Sequence, residues 1–234
     1  MVVSRIGHSN SGGTVADMIG GNLPLQITHV QFLLTIKLNP VIYDVQVLQM
    51  GQGYKALILG SQPDQGAEVI RTWVNPHHYD NGYKLTEHSY IGNNFVGALE
   101  FLISPLGMFY KSRVVWSGDY ADKEVGLDEN LYEISDNEIN AGKASWPVGR
   151  DISEYRYIVN HTTAQYVDKA TCVSQASHNL HPLPLLTAEG NGRGGGDYHG
   201  ANEEMVGKWA RHVLSVEKDK PVGYMELVCD FRDE

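Results

Sequence analysis

The run "YRYIVN-HTTA-QYVDK", residues 155–169, most constrains what this chain can become. Tyr155, Tyr157 and Val159 alternate with Arg156, Ile158 and Asn160, and aromatic and β-branched residues recur after four turn-forming ones. Alternation with period two gives a strand one buried and one opposite face, so the segment predicts a β-hairpin. The same grammar recurs along the chain. "YKALIL" (54–59) and "EVIRTWV" (68–74) flank Pro63 and Asp64 and predict a second hairpin. "SRVVWSGD" (112–119) predicts a buried strand ending in a turn. "VGKWARHVLSVE" (206–217) and "VGYMELVCDF" (222–231) flank "KDKP" and predict a C-terminal hairpin.

One segment breaks the strand pattern. In "NNFVGALEFLISPLG" (93–107), Phe95, Leu99 and Leu102 recur at helical spacing, Asn93 or Asn94 can cap the start, and Pro105 ends it. A main helix over about 93–104 follows, with a short helix around "ENLYEIS". The expected fold class is therefore α+β: a single domain of mostly antiparallel strands and hairpins with one main helix.

Composition shifts near residue 50. Residues 1–49 hold two basic groups, Arg5 and Lys37, and two acidic ones, Asp17 and Asp44, so the whole net charge of −10 belongs to residues 50–234. "ITHVQFLLTIKL" and "VIYDVQVLQ", separated by Asn39-Pro40, predict two strands around a turn. Residues 1–49 read as an N-terminal extension or small hairpin outside the core, with Met50 as the original start, and 50–234 as one domain.

The acidic balance argues against duplex nucleic acid and against an anionic membrane surface, since both repel negative charge. The apolar run 27–38 is interrupted by Thr28, His29, Gln31, Thr35 and Lys37, so it predicts no spanning helix. Cys172 and Cys229 are too few for a disulfide framework and are expected as reduced core thiols. A cytoplasmic protein follows from these readings.

The candidate chemistry gathers around "HPLPLLTAEGNGRGGGDYHG" (181–200). Gly190, Gly192 and Gly195 satisfy Gly-x-Gly-x-x-Gly. A dinucleotide fold needs that turn between a buried strand and a helix, early in a parallel unit. Pro182 and Pro184 suit an extended edge segment instead, and too few residues follow for the remaining parallel strands. No Gly-Lys-Ser/Thr follows for a phosphate loop. A weaker anion site survives: backbone N–H groups of Gly192, Gly194 and Gly195 with Arg193, Asp197 and His199. His178 and His181 before it, and Asp197 and His199 within it, match no zinc signature, so no metal is expected. His88 after Glu87, His181, and Asp119 in "GDYAD" are the candidate catalytic groups, as an imidazole and a carboxylate can serve acid–base work. No nucleophile elbow or zinc-protease motif occurs.

Five runs, "MGQGYKALIL" (50–59), "GYKLTEHSYIGNNFV" (82–96), "RVVWSGDYAD" (113–122), "YIVNHTTAQYVD" (157–168) and the 181–200 stretch, together resemble an uncharacterised family of small acidic proteins from Firmicutes and their phages. Its members often open with Met-Gly-Gln-Tyr-Tyr and carry a Gly-x-Lys-Leu-Met-Glu-His-Ser-Tyr run. Here Gly53 precedes Tyr54, and Thr86 stands where Met is usual. The resemblance spans residues 50 to about 220 and brings no activity with it. It implies a bacterial host and a phage or mobile-element setting. The expected function is an accessory binding or regulatory protein whose partner is another protein or a small anionic ligand. A small hydrolase or nucleotide-handling enzyme built on the 190–199 loop and a structural phage component are the alternatives, and the cofactor stays open.

Overall fold

The structure is a computed structural model that describes residues 52–61, 68–137, 152–172, 180–190, 198 and 200–231, with the backbone of residues 35–38, 41–44 and 192–193. Contacts divide the chain into two units, Met1–Met50 and Gly51–Glu234. In the first unit, β1 (Thr35–Leu38) pairs antiparallel with β2 (Val41–Asp44), Leu38 opposite Val41.

The second unit is built on a nine-stranded sheet, and sheet and helices together make the α+β fold that the residue pattern predicts. Its centre is β5 (Ser112–Gly118), buried along its whole length. On one side β5 pairs antiparallel with β3 (Tyr54–Leu59), and β4 (Ile70–Val74) completes that hairpin. On its other side two strands share the edge. Ser112 and Arg113 pair with β10 (Val213–Glu217), while Trp116 and Ser117 pair in parallel with β8 (Ala188–Gly190). Beyond β10 lie β6 (Tyr157–Asn160) and β7 (Gln165–Asp168), the hairpin around His161–Ala164. β11 (Met225–Glu226) closes that edge, and β9 (Gly192–Arg193) pairs with β8.

Both faces of the sheet are covered, which is why every residue of β3 and β5 is buried, Lys55 and Arg113 included. Tyr54, Ala56, Ile58, Val114 and Trp116 point into the larger core, packed by Phe95, Leu99 and Leu102 of helix α2 (Asn94–Ile103). Leu57, Leu59 and Val115 point the other way, toward Leu131 of α3 (Leu131–Asn137). Asn93 starts α2 by accepting hydrogen bonds from the N–H groups of Phe95 and Val96 at 2.8 and 3.2 Å, which satisfies two otherwise orphaned donors. A short α1 (Leu85–His88) precedes it.

Two local expectations give way. Residues 182–187 are not extended: Pro182–Thr187 form helix α4, capped by His181, whose Nδ1 accepts from Leu183 N at 3.2 Å. Both prolines fall in the first turn, where no intrahelical N–H donor is required, so they start the helix instead of breaking it. The C-terminal hairpin does not form either. β10 pairs with β6 along Leu214–Glu217 and with β5 at Val213 and Leu214, so β6 holds the edge a C-terminal hairpin would use on one side and β5 the start of the other. That run crosses to the far edge, where β11 pairs parallel with β7.

Candidate anion-binding cleft

The fold places each expected catalytic group in a packing role. His88 is fully buried. Its Nδ1 lies 3.1 Å from the carbonyl of Gly82, which only accepts, so the proton sits on Nδ1. Nε2 then accepts from the Trp116 indole N–H at 2.9 Å. Burial holds the ring's pKa down at about 4, so it is neutral at pH 7.

His181 is close to His88 in backbone terms, since His181 N donates to Ser89 O at 2.9 Å and Tyr90 bridges to Leu180. Its ring has other partners. With Nδ1 committed to Leu183 N, Nε2 faces Glu100 Oε1 at 3.1 Å without hydrogen-bond alignment. Lys169 Nζ meets the same oxygen at 2.6 Å. Burial pushes the Glu100 carboxyl up, but His181 and Lys169 outweigh it and hold it at about 2. Burial lowers the His181 pKa despite Glu100.

Asp119, just past β5, forms a turn clasp with Gly53: its Oδ1 accepts from Gly53 N at 3.1 Å, and its own N–H donates to Gly53 O at 3.0 Å. Asn130 donates to its carbonyl at 3.1 Å. His88, His181 and Asp119 therefore stand in separate hydrogen-bond systems.

The glycine run has a packing reason at its first position. A Cβ on Gly190 would lie 2.5 Å from Gln52 Oε1 and 2.8 Å from the Tyr54 hydroxyl, so a larger residue there would have to displace the Gln52–Tyr54 hydrogen bond. The strand ending at Gly190 turns back antiparallel, Gly190 opposite Gly192, where a dinucleotide fold would continue into a helix. Gly192 and Arg193 are placed on β9 by their backbone, whereas Gly194, Gly195, Asp197 and His199 lie outside the described residues.

The second face of the sheet carries an ionic lattice that the sequence pattern did not single out. Arg211 donates to both oxygens of Glu124, at 2.6 and 3.0 Å, and to both of Glu189, at 2.7 and 2.8 Å. Arg113 forks onto Glu68 with two bonds of 2.7 Å and donates from Nε to Arg211 O at 3.0 Å. Burial opposes the charge on Arg211, but Glu124 and Glu189 raise its pKa further above the usual arginine range. This arrangement fixes β5, β8 and the 119–130 loop to one another. With every guanidinium already forked onto carboxylates, it offers an anion little.

A different place does offer something. Beside the turn after β6 and the turn after β10 lies an open cleft of about 490 Å³, within the range of small-ligand sites. Its cations are Lys111, Lys218 and Lys220. Lys218 pairs with Glu154, and Lys220 lies 3.5 Å from Glu226, in both cases as solvent-exposed pairs. Lys111 has no ion pair among the described residues and sits at φ 56°, a left-handed conformation uncommon for a lysine.

The inner wall of the cleft is a directed hydrogen-bond chain. Ser215 Oγ donates to Glu217 Oε1 at 2.7 Å, so it accepts from His161 Nε2–H at 2.8 Å. His161 Nδ1 then accepts from the Tyr224 hydroxyl at 2.9 Å. Tyr110 also donates to Glu217 Oε1, at 2.9 Å. Burial, followed by the nearby Lys111 charge, lowers the His161 pKa and favours this neutral ring. Burial and the Glu217 carboxylate push the Tyr110 hydroxyl up to about 12, so it stays a donor. Tyr155, Pro105 and Pro221 supply apolar surface.

Sequence reasoning missed this cleft. The only signal was "KDKP" with its two lysines, read as a turn, and nothing local joins it to Lys111 or His161. No family model matches the chain, and neither a curated protein nor a solved structure shows significant similarity to it. Among the described residues no helix is long and apolar enough to cross a membrane, and no group of three His, Cys, Asp or Glu side chains is placed to hold a metal.

Proposed function

We propose that this protein binds a small anionic ligand and acts as a binding or regulatory protein, not as a catalyst. The observation that carries this reading is the cleft at Lys111, Lys218 and Lys220: three amines gathered at one rim in a chain of net charge −10. Lys111, which has no ion pair among the described residues, and the exposed amines of Lys218 and Lys220, whose surface pairs exchange at little cost, give an anion partners here, while Glu217 and Asp219 of the same lining confine it to the lysine end. The side chains that an enzyme built on His88, His181 and Asp119 would need are each committed to core or turn hydrogen bonds. The resemblance to phage and Firmicutes proteins supplies the setting, an accessory role in the cytoplasm of a bacterial host.

The test is a thermal-shift series at low ionic strength with phosphate, nucleotides and carboxylates, on the wild type and on Lys218→Glu/Lys220→Glu. A ligand that binds only the folded state raises Tm by mass action. At least one anion raises Tm in the wild type, and the charge-reversed variant loses that shift. If every anion leaves both proteins unchanged, the reading is wrong.

A further inference from the structure

We infer that the cleft takes a nucleoside monophosphate, with the phosphate on the lysine rim at Lys111 and a base N–H on Glu217 Oε2. This rests on the anion-binding reading above and assigns its ligand class.

Three features of the cleft select that class. The first is the carboxylate at its inner wall. Glu217 Oε1 accepts from both Ser215 and Tyr110, while Oε2 has no donor among the described residues. The chain Tyr224–His161–Ser215 fixes the carboxylate from behind, so Oε2 is a preorganised acceptor. An anion with no N–H or O–H of its own would meet repulsion there. A ligand carrying both a negative group and a donor satisfies both ends.

The second feature is the surface between those ends. Tyr224, Pro105 and Pro221 line it, with Tyr155 nearly buried under the Lys218 amine, and a flat base gains more by packing on such a surface than a sugar or a short dicarboxylate does. The third is the charge balance. Lys218 and Lys220 are shared with Glu154 and Glu226, and Asp219 stands between them in the same turn. Exposed pairs of this kind exchange partners at little cost. One phosphate can recruit them together with Lys111, whereas a triphosphate would bring more negative charge than this rim and a −10 protein can balance.

The experiment is isothermal titration of the full chain with AMP, adenosine, ribose 5-phosphate and ATP, repeated on Lys111→Asn and Glu217→Gln. Asparagine tolerates the left-handed backbone at position 111, and glutamine keeps the Oε1 acceptor for Ser215 and Tyr110, so both variants retain the local structure. AMP binds the wild type more tightly than adenosine, ribose 5-phosphate or ATP. Lys111→Asn weakens AMP by about tenfold and leaves adenosine unchanged, as expected for one charge-assisted contact. Glu217→Gln weakens AMP and adenosine by about tenfold and does not weaken ribose 5-phosphate, which only loses a repelling charge. Ribose 5-phosphate binding as tightly as AMP, with Glu217→Gln silent, overturns the base assignment and leaves the anion reading standing. Absence of binding by all three phosphates overturns the nucleotide assignment, and the anion reading falls with it only if the carboxylates of the thermal-shift series also leave Tm unchanged.

Discussion

His88 gives the sharpest quantitative prediction. In the unfolded chain an imidazole takes a proton near pH 6.5, whereas in the fold burial between Phe95 and Trp116 holds this one to about 4. Between those values the unfolded state binds the proton and the native state refuses it. Stability is therefore complete above pH 6.5 and falls as the pH drops toward 4. From pH 7 to 4.5 the difference covers about two pH units, and each unit is worth 1.36 kcal/mol, so His88 alone removes about 2.5 kcal/mol. His88→Gln keeps an acceptor for the Trp116 N–H and a donor for Gly82 O but cannot titrate. Urea unfolding at the two pH values should show the wild type losing about 2.5 kcal/mol more than the variant. NMR of the His88 ring should show no titration in the folded protein above pH 5. A ring that titrates near 6.5, or equal pH dependence in the two proteins, would refute the reasoning.

Three other outcomes follow from the geometry. Arg211→Asn keeps a residue that accepts φ 63° but takes the guanidinium away from the buried Glu124 and Glu189, so it should cost about 3 kcal/mol in chemical denaturation; a loss under 1 kcal/mol would mean the lattice is not structural. The Cys172 thiol is held up by its hydrogen bond to Cys229 and by burial, so at pH 8 the native protein should react with a thiol reagent far more slowly than the urea-unfolded chain; rapid labelling of the native state would contradict the packing. Residues 51–234 expressed alone should unfold cooperatively, and a molten or insoluble product would show that the first unit is needed.

Elements whose partner is next in sequence were legible from the residues. The 54–74 and 157–168 hairpins and helix α2 form where alternation, helical spacing and the Asn93 cap place them. Elements whose partner is remote were not. The 222–231 run has good strand chemistry, yet its hairpin depends on whether β10 keeps a free edge, and β6 holds one while β5 holds the start of the other. Pro182 and Pro184 carry the same local preference in an extended segment and in a first helical turn, and the His181 cap with the packing of Leu183, Leu185 and Leu186 selects the helix.

The candidate sites divide along the same line. Sequence singled out His88, His181 and Asp119 by residue type, because imidazoles and carboxylates are the groups that carry chemistry. Burial and partners cannot be read from type, and they turned these three into a core hydrogen bond, a helix cap and a turn clasp. The cleft runs the opposite way. Lys111, His161, Glu217 and Tyr224 are unremarkable where they stand in the sequence, more than a hundred residues apart at the extremes, and converge because β10 lies between β5 and β6. What the sequence determined by itself was the set of locally coded elements and the acidic charge that disfavours nucleic acid. The tertiary structure decided which polar groups lost their water and which kept it, since desolvation is a property of neighbours.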